Sequence, residues 1–474
     1  MHSMRTKLAA VALALGAPAT APAADAADLA ALREEIAQMR KSYEGRIAAL
    51  EQRLAQAENT AGRAENAALQ AEGAARAASQ RPAGESAMNP GISLILSGMY
   101  TNLKVDPAGQ PWGIAGFVPS MGEVAPPARS FSLGESELVV AANIDHRVRG
   151  VMTLALPPEA GEAPQVEEGY IQTLGLWHGL TLKAGRFLSG LGYMNEQHAH
   201  AWDFSDAPLA YKAFFGNQLR GDGIQLKWVA PTETFLEFGA EAGRGGAFPS
   251  ADRNKNGFQT GTLFAHVGGD VGRSHSWRAG LSYMRSSPRD RAYTDDGNGT
   301  TNAFTGRSRT WIADAVWKWA PEGNASYRSL TLQGEYFQRR EDGTLAYDID
   351  GTALNCLLAD CRGGYRTSQS GWYAQAVWKF RPTWRVGFRH DRLNAGSMDN
   401  GLAIDPATGL SAADFPVLAG HRPRRNTVML DWSPSEFSRV RLQFARDQSR
   451  ASGADNQVWL HYIVSLGSHG AHKF

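Results

Sequence analysis

From Ile92 onward the chain alternates apolar and polar residues with a period of two, and the alternation is interrupted by links of alternating length. That period marks strands with one greasy face and one wetted face. In WYAQAVWKF, Trp372, Ala374, Ala376, Trp378 and Phe380 share one face, while Tyr373, Gln375 and Lys379 share the other. In SRVRLQFARD, Val440, Leu442 and Phe444 oppose Arg439, Arg441, Gln443 and Asp447. Sixteen such segments can be drawn: 93–103, 131–145, 147–156, 166–176, 180–187, 221–229, 233–243, 259–269, 275–286, 307–319, 326–338, 369–380, 383–394, 423–433, 437–447 and 456–467. RPTW and SPSEF are tight turns, whereas 339–368 and 395–422 are long connections. An even number of strands whose links alternate in length predicts an antiparallel sheet with its short turns at one end. If the apolar face meets lipid, the sheet must close, because lipid cannot satisfy an open edge. The expected fold is an all-β transmembrane barrel of 16 antiparallel strands. A soluble β-sandwich would turn the same apolar face inward, an inversion the pattern does not register. A propeller needs a blade repeat, and the sequence has none.

Composition agrees. A mean hydropathy of −0.34 excludes a helical membrane protein, and no mature segment reaches the roughly 18 apolar residues a spanning helix needs. The 51 glycines, 13 tryptophans and 13 tyrosines suit many short strands. A formal net charge of +1 gives no reason to expect nucleic acid as a partner. Before the strands, Arg5 and Lys7 precede LAAVALALGAP, and Ala21-Pro22-Ala23 offers a small-x-small cleavage site, so 1–23 reads as an export signal. Over 24–80, Leu29, Leu32, Ile36, Met39 and Tyr43, then Ile47, Leu50, Leu54, Ala57, Ala61 and Ala64, follow three-four spacing joined by a stutter. This predicts an α-helical coiled coil, and hence an oligomer. RPAGESAMNPG breaks it, making 81–91 a linker and 92–474 the barrel. The short links, like the helix, belong on the periplasmic side of a bacterial outer membrane.

At this point the chain resembles a general bacterial porin. The terminal Phe474 is similar to the aromatic end that outer-membrane barrels present for assembly, and LTLKAGRFLSGLG resembles a porin strand-to-loop passage. A coiled coil ahead of a barrel resembles porins whose trimers carry a periplasmic stalk, which implies a homotrimer. A narrower resemblance, carried by NEQHAHAWDFSDAPLAYKAF, GDGIQLKWVAPT and LGSHGAHKF, is to a family identified as zinc-regulated outer-membrane receptors. Energised receptors of that label need a plug and about 22 strands, and the segment before the linker is coil instead.

The porin resemblance implies that the third long link, Leu188 to Arg220, folds into the lumen and sets its constriction. Glu196, His198, His200, Trp202, Asp203 and Asp206 would then meet every solute. His198, His200 and Asp203 form a candidate metal set, since imidazole and carboxylate donors suit zinc; the same side chains could equally pack the loop onto the wall by hydrogen bonds. His469 and His472 fall on opposite faces of an extended strand, so a structural role is expected for them. Alternation places Lys183, Lys227, Arg278, Lys318, Lys379, Arg385, Arg389, Arg439 and Arg441 on the lumen wall, against Glu135, Glu137, Glu335, Asp391, Asp431 and Asp447. Cys356 and Cys361, in a Gly-flanked stretch of an exported chain, predict a disulfide staple. No G-x-S-x-G nucleophile motif is present and no enzyme is expected. No cofactor is required, although zinc is admissible as a bound or transported ion. The expected function is passive passage of small hydrophilic solutes across outer-membrane lipid. A channel for zinc or a metal complex is the alternative within transport, and a non-conducting envelope anchor is the alternative outside it.

Overall fold

The computed structural model describes residues 34, 37–42, 44–47, 90–107, 113–118, 124–157, 163–176, 179–251, 254–295 and 297–467. The chain divides into two units, 1–84 and 85–474. In the first, 37–42 and 44–47 are helical, with Arg40 and Glu44 paired at 3.0 Å one turn apart. The expected export signal, the remainder of the coiled-coil stripe, linker residues 81–89 and the tail with His469, His472 and Phe474 lie outside the described residues.

The second unit is one antiparallel sheet of eighteen strands. They are β1 (Gly91–Leu103), β2 (Ser130–Leu133), β3 (Ser136–Asn143), β4 (Val148–Leu156), β5 (Gln165–Thr173), β6 (Leu180–Leu188), β7 (Arg220–Val229), β8 (Phe235–Gly243) and β9 (Thr260–Val271). β10 (His275–Ser286), β11 (Arg291–Thr294), β12 (Thr301–Trp319), β13 (Ser329–Ala346), β14 (Arg362–Arg381), β15 (Trp384–Asn400), β16 (Arg424–Ser435), β17 (Ser438–Gln448) and β18 (Asp455–Gly467) follow. β1 closes the sheet by pairing with β18 from Ser93 opposite Gly467 to Leu103 opposite Gln457. Two elements add no place to the ring: β2 shares partner β1 with β3, and β11 shares partner β12 with β10. Sixteen strands therefore form a closed transmembrane barrel.

Each of the sixteen expected segments coincides with a strand of that ring, with two differences. The segment 131–145 is broken between β2 and β3, because β1 meets them in registers one residue apart: Gly98 faces Leu133, but Ile95 faces Glu137. β12 to β15 run on past their expected ends, β13 through Arg339–Ala346 and β14 back to Arg362. The outward residues of that β13 extension, Arg340, Asp342 and Thr344, are exposed and polar, so the apolar alternation that marks lipid contact stops before the strand does.

The two faces are chemically inverted relative to a soluble protein. On β17 and β18, Leu442, Phe444, Val458, Leu460 and Tyr462 point outward and are exposed, while Arg441, Gln443 and Trp459 are buried inside. Ladder closure satisfies backbone groups that would each cost several kcal/mol unpaired in hydrocarbon. The interior is filled by polar side chains together with the segment 189–219, which enters the barrel after β6.

Candidate functional site

The segment 189–219 is attached to inward-facing residues around most of the ring. Ser189 Oγ donates to Glu241 on β8 at 2.5 Å, and the Gly192 amide donates to Ser282 on β10 at 3.0 Å. Gly192 has φ +66°, and a Cβ there would fall 2.4 Å from Glu335 Oε2, so the close approach needs glycine. Glu335 on β13 accepts from the backbone amides of Tyr193 and Met194 and from the phenols of Tyr211 and Tyr373. The short helix α1 (Leu209–Phe215) is buried throughout and ends on Gly216 in the left-handed conformation. Its Phe214 stacks on Phe337 at 5.6 Å and meets Phe117 edge-on. The Leu209 amide at its start donates to Asp391 Oδ1 at 2.9 Å.

A charged cluster fixes the next turn. Asp206 accepts from Arg389 Nη2 at 3.0 Å and from Gln443 Nε2 at 3.1 Å, and its Oδ2 is ion-paired with Arg425 Nη1 at 2.5 Å. Both guanidiniums are buried and also reach Asp391. Burial alone would push the Asp206 carboxyl up, but Arg425 and Arg389 outweigh it and hold the group well below the usual carboxylate range. Lys212, fully enclosed on α1, is lowered to about 8 by burial and donates to the Val124 carbonyl at 3.0 Å.

The histidines sit against the opposite wall. His198 Nε2 lies 3.0 Å from Glu168 Oε2, and its Nδ1 lies 3.2 Å from Glu137 Oε2 and 3.3 Å from Glu167 Oε2. His200 Nδ1 lies 2.9 Å from Glu137 Oε1, and the two imidazoles stack with centroids 5.7 Å apart. Burial disfavours an imidazolium, but Glu137, Glu167 and Glu168 prevail and raise the His198 pKa well above its ordinary value. Both glutamates of β5 face inward because of a bulge: Thr153 pairs with Glu168 and Leu154 with Val166, leaving Glu167 as the extra residue.

The predicted site residues thus fall into separate groups. Asp203, expected beside the histidines, instead pairs with Arg385 at 2.8 Å and accepts from Gln375. Glu196 pairs with Lys227 at 3.2 Å, and the Trp202 indole donates to the Gln197 carbonyl. Arg385 and Arg441 meet at Asp431, and Arg439 donates to the carbonyls of His200 and Trp202. Lys183 lies over the Tyr170 ring and Lys379 donates to the Ala325 carbonyl. The lumen wall is mixed in charge: Glu137, Glu167, Glu168, Glu237 and Glu241 come from β3, β5 and β8, with Lys183 and Lys227 among them, and Asp314, Glu335, Asp391, Asp431 and Asp447 lie among the basic groups of the other strands. Arg278, Lys318, Lys379, Arg385, Arg389, Arg425, Arg439 and Arg441 come from β10 to β17. Tyr211, Glu167, Glu168 and Arg425 were not singled out from the sequence, and Tyr373 was placed only on the wetted face of its strand. Cys356 and Cys361 are joined by a disulfide.

No family model matches the chain. It is 32% identical over 367 residues to an uncharacterized protein of Aquifex aeolicus (strain VF5), covering 73% of this chain and 70% of that one. Among solved structures it is similar to the outer membrane channel DcaP of Acinetobacter baumannii, with a TM-score of 0.48 and 10% identity over 81% of this chain and 99% of that one. A loop-deletion mutant of OmpT, an outer membrane protein of Vibrio cholerae, gives 0.47 and 11% over 80% and 99%. An anion-selective porin from Comamonas acidovorans gives 0.45 and 12% over 80% and 99%.

Proposed function

We propose, for a chain that belongs to the same family as the uncharacterized Aquifex aeolicus protein, an outer-membrane porin that lets small hydrophilic solutes diffuse passively, with 188–220 as its constriction. The observation that carries this reading is the inversion of polarity around an inserted loop. The wall is apolar outside and charged inside, and the segment that crosses the interior is held by hydrogen bonds to both halves of the ring. Charge-lined passages carry hydrated solutes, because fixed dipoles and charges replace part of the water lost on entry. The basic groups of β10 to β17 near the short links give the mouth a preference for anions. The N-terminal segment belongs in the periplasm, where residues 24–80 join three copies. Planar-bilayer recording of the purified chain tests the reading. Stepwise ion conductance with a reversal potential on the anion side is expected. Absence of conductance steps removes the porin in favour of an envelope anchor.

A further inference from the structure

Three atoms where the inserted segment meets the lumen wall approach one another without ordinary hydrogen-bond geometry: Glu137 Oε2, Glu167 Oε2 and His198 Nδ1. The two glutamates are 0% and 2% exposed. One Nδ1–H can serve at most one of the two carboxylate oxygens in line, so a protonated imidazole leaves a buried anionic oxygen without a partner, a costly arrangement. A cation removes the conflict. Donors about 2.0–2.1 Å from a tetrahedral ion stand about 3.3–3.4 Å apart, and the two nitrogen–oxygen separations here are 3.2 and 3.3 Å.

We propose that Glu137, Glu167 and His198 form a binding site for a divalent first-row transition cation, with zinc as the reference ion, that ties the inserted loop to β3 and β5. Every ligand has its own orienting partner, as metal ligands commonly do. Glu168 Oε2 receives the far nitrogen of His198 at 3.0 Å. His200 Nδ1 holds the other oxygen of Glu137 at 2.9 Å. Arg220 Nη1 approaches the other oxygen of Glu167 at 3.5 Å. The β5 bulge makes this possible by turning consecutive glutamates to one face, Glu167 toward the ion and Glu168 behind the imidazole. Three protein donors leave the fourth position of a tetrahedral ion to water. One imidazole with two carboxylates suits zinc, and also manganese, iron or cobalt, better than calcium, which takes six to eight oxygens. The site stands on local geometry and holds whether or not the lumen conducts.

The test uses the full chain in detergent, freed of metal by a chelator and titrated calorimetrically with Zn²⁺. One saturable ion per chain is expected. Glu137→Gln and Glu167→Gln should each weaken binding by at least tenfold, and Glu168→Gln by roughly 10–100-fold. The double variant His469→Ala/His472→Ala should titrate like the parent. Should the glutamate variants fail to fold, the unaltered chain still decides: Zn²⁺ should protect His198 from diethyl pyrocarbonate, read by peptide mass spectrometry. Absence of saturable binding, unchanged affinity in folded Glu167→Gln, or equal modification of His198 with and without Zn²⁺ would each overturn the site.

Discussion

Asp206→Ala is the sharpest probe of how the inserted loop is held. The substitution leaves the wall strands untouched but takes away the loop carboxylate that Arg389 and Arg425 share. Arg389 keeps Asp391 and the Asp206 carbonyl, and Arg425 keeps Asp391 and Asp447, so neither guanidinium is stranded. Removing one member of a buried ion pair typically costs about 3–5 kcal/mol, and the retained partners place this case near the lower figure. At about 1.4 kcal/mol per decade, 3 kcal/mol shifts the attached-to-detached equilibrium of the loop by more than a hundredfold. The loss should appear as loop release, because the backbone ladders of β15, β16 and β17 do not depend on Asp206. Single-channel recording should show added conductance substates and higher open-channel noise, and the far-UV circular dichroism should match the parent. Acid should act in the same direction, but late. The folded-state carboxyl lies below its unfolded value, so its contribution is complete above the ordinary carboxylate pKa and disappears only as pH falls through the depressed one. Substate noise in the parent should therefore stay constant from pH 7 down to the ordinary carboxylate pKa and rise progressively below it as far as this anchor is concerned. If Asp206→Ala records a current trace identical to the parent, the charged cluster does not hold the loop and the reasoning fails.

Other expectations are direct. Lys318→Glu combined with Lys379→Glu should move the reversal potential toward cations, since both face the lumen near the short links; an unchanged potential would place the selective region elsewhere. Reducing the Cys356–Cys361 disulfide should cost about 2 kcal/mol locally, from the small loop it closes, and should leave the barrel melting temperature in differential scanning calorimetry unchanged because the staple lies between β13 and β14. Gly239→Val should lower that melting temperature, because a Cβ at this position falls 2.0 Å from the Phe264 ring; the overpacking is worth about 1–3 kcal/mol. Phe337→Ala should cost about 3–5 kcal/mol and raise hydrogen exchange in α1, whose Tyr211, Phe214 and Phe215 all meet that ring.

The ring of strands was legible because lipid forces each strand to declare its faces. Val440, Leu442 and Phe444 read as one face from residue order alone, and the barrel puts them outside. That signal fades where lipid ends, which is why the upper parts of β12 to β15, with their Arg, Asp, Thr and Gly, were read as loops. It fails outright at Glu167 and Glu168, since alternation must assign neighbours to opposite faces and only the bulge against Leu154 reverses one of them. The histidine loop showed its donor types but not their partners. Asp203 is three residues from His200, yet it leaves toward Arg385, because the chain runs out of the short turn Ala199–Ala201 in an extended conformation at Trp202.

Sequence distance is thus a poor guide inside this barrel, and the reason lies in how the loop is supported. A seven-residue helix such as α1 is too short to persist by itself in water, so its conformation must be imposed by the wall. Two kinds of contact share that task. Phe214, Phe337, Leu393 and Ile312 supply apolar burial, which is strong but indifferent to small rotations. Glu335 and Asp391 supply direction. Glu335 takes four donors, two amides and two phenols, and Asp391 takes the amide that begins the helix, so each admits only one register of the loop against the ring. A purely apolar interior would hold the loop without fixing where its charged side chains point. A purely polar one would pay the dehydration of every group for little net attachment. Combining them leaves the charged residues of 196–206 at fixed stations on opposite walls, which a selective passage requires.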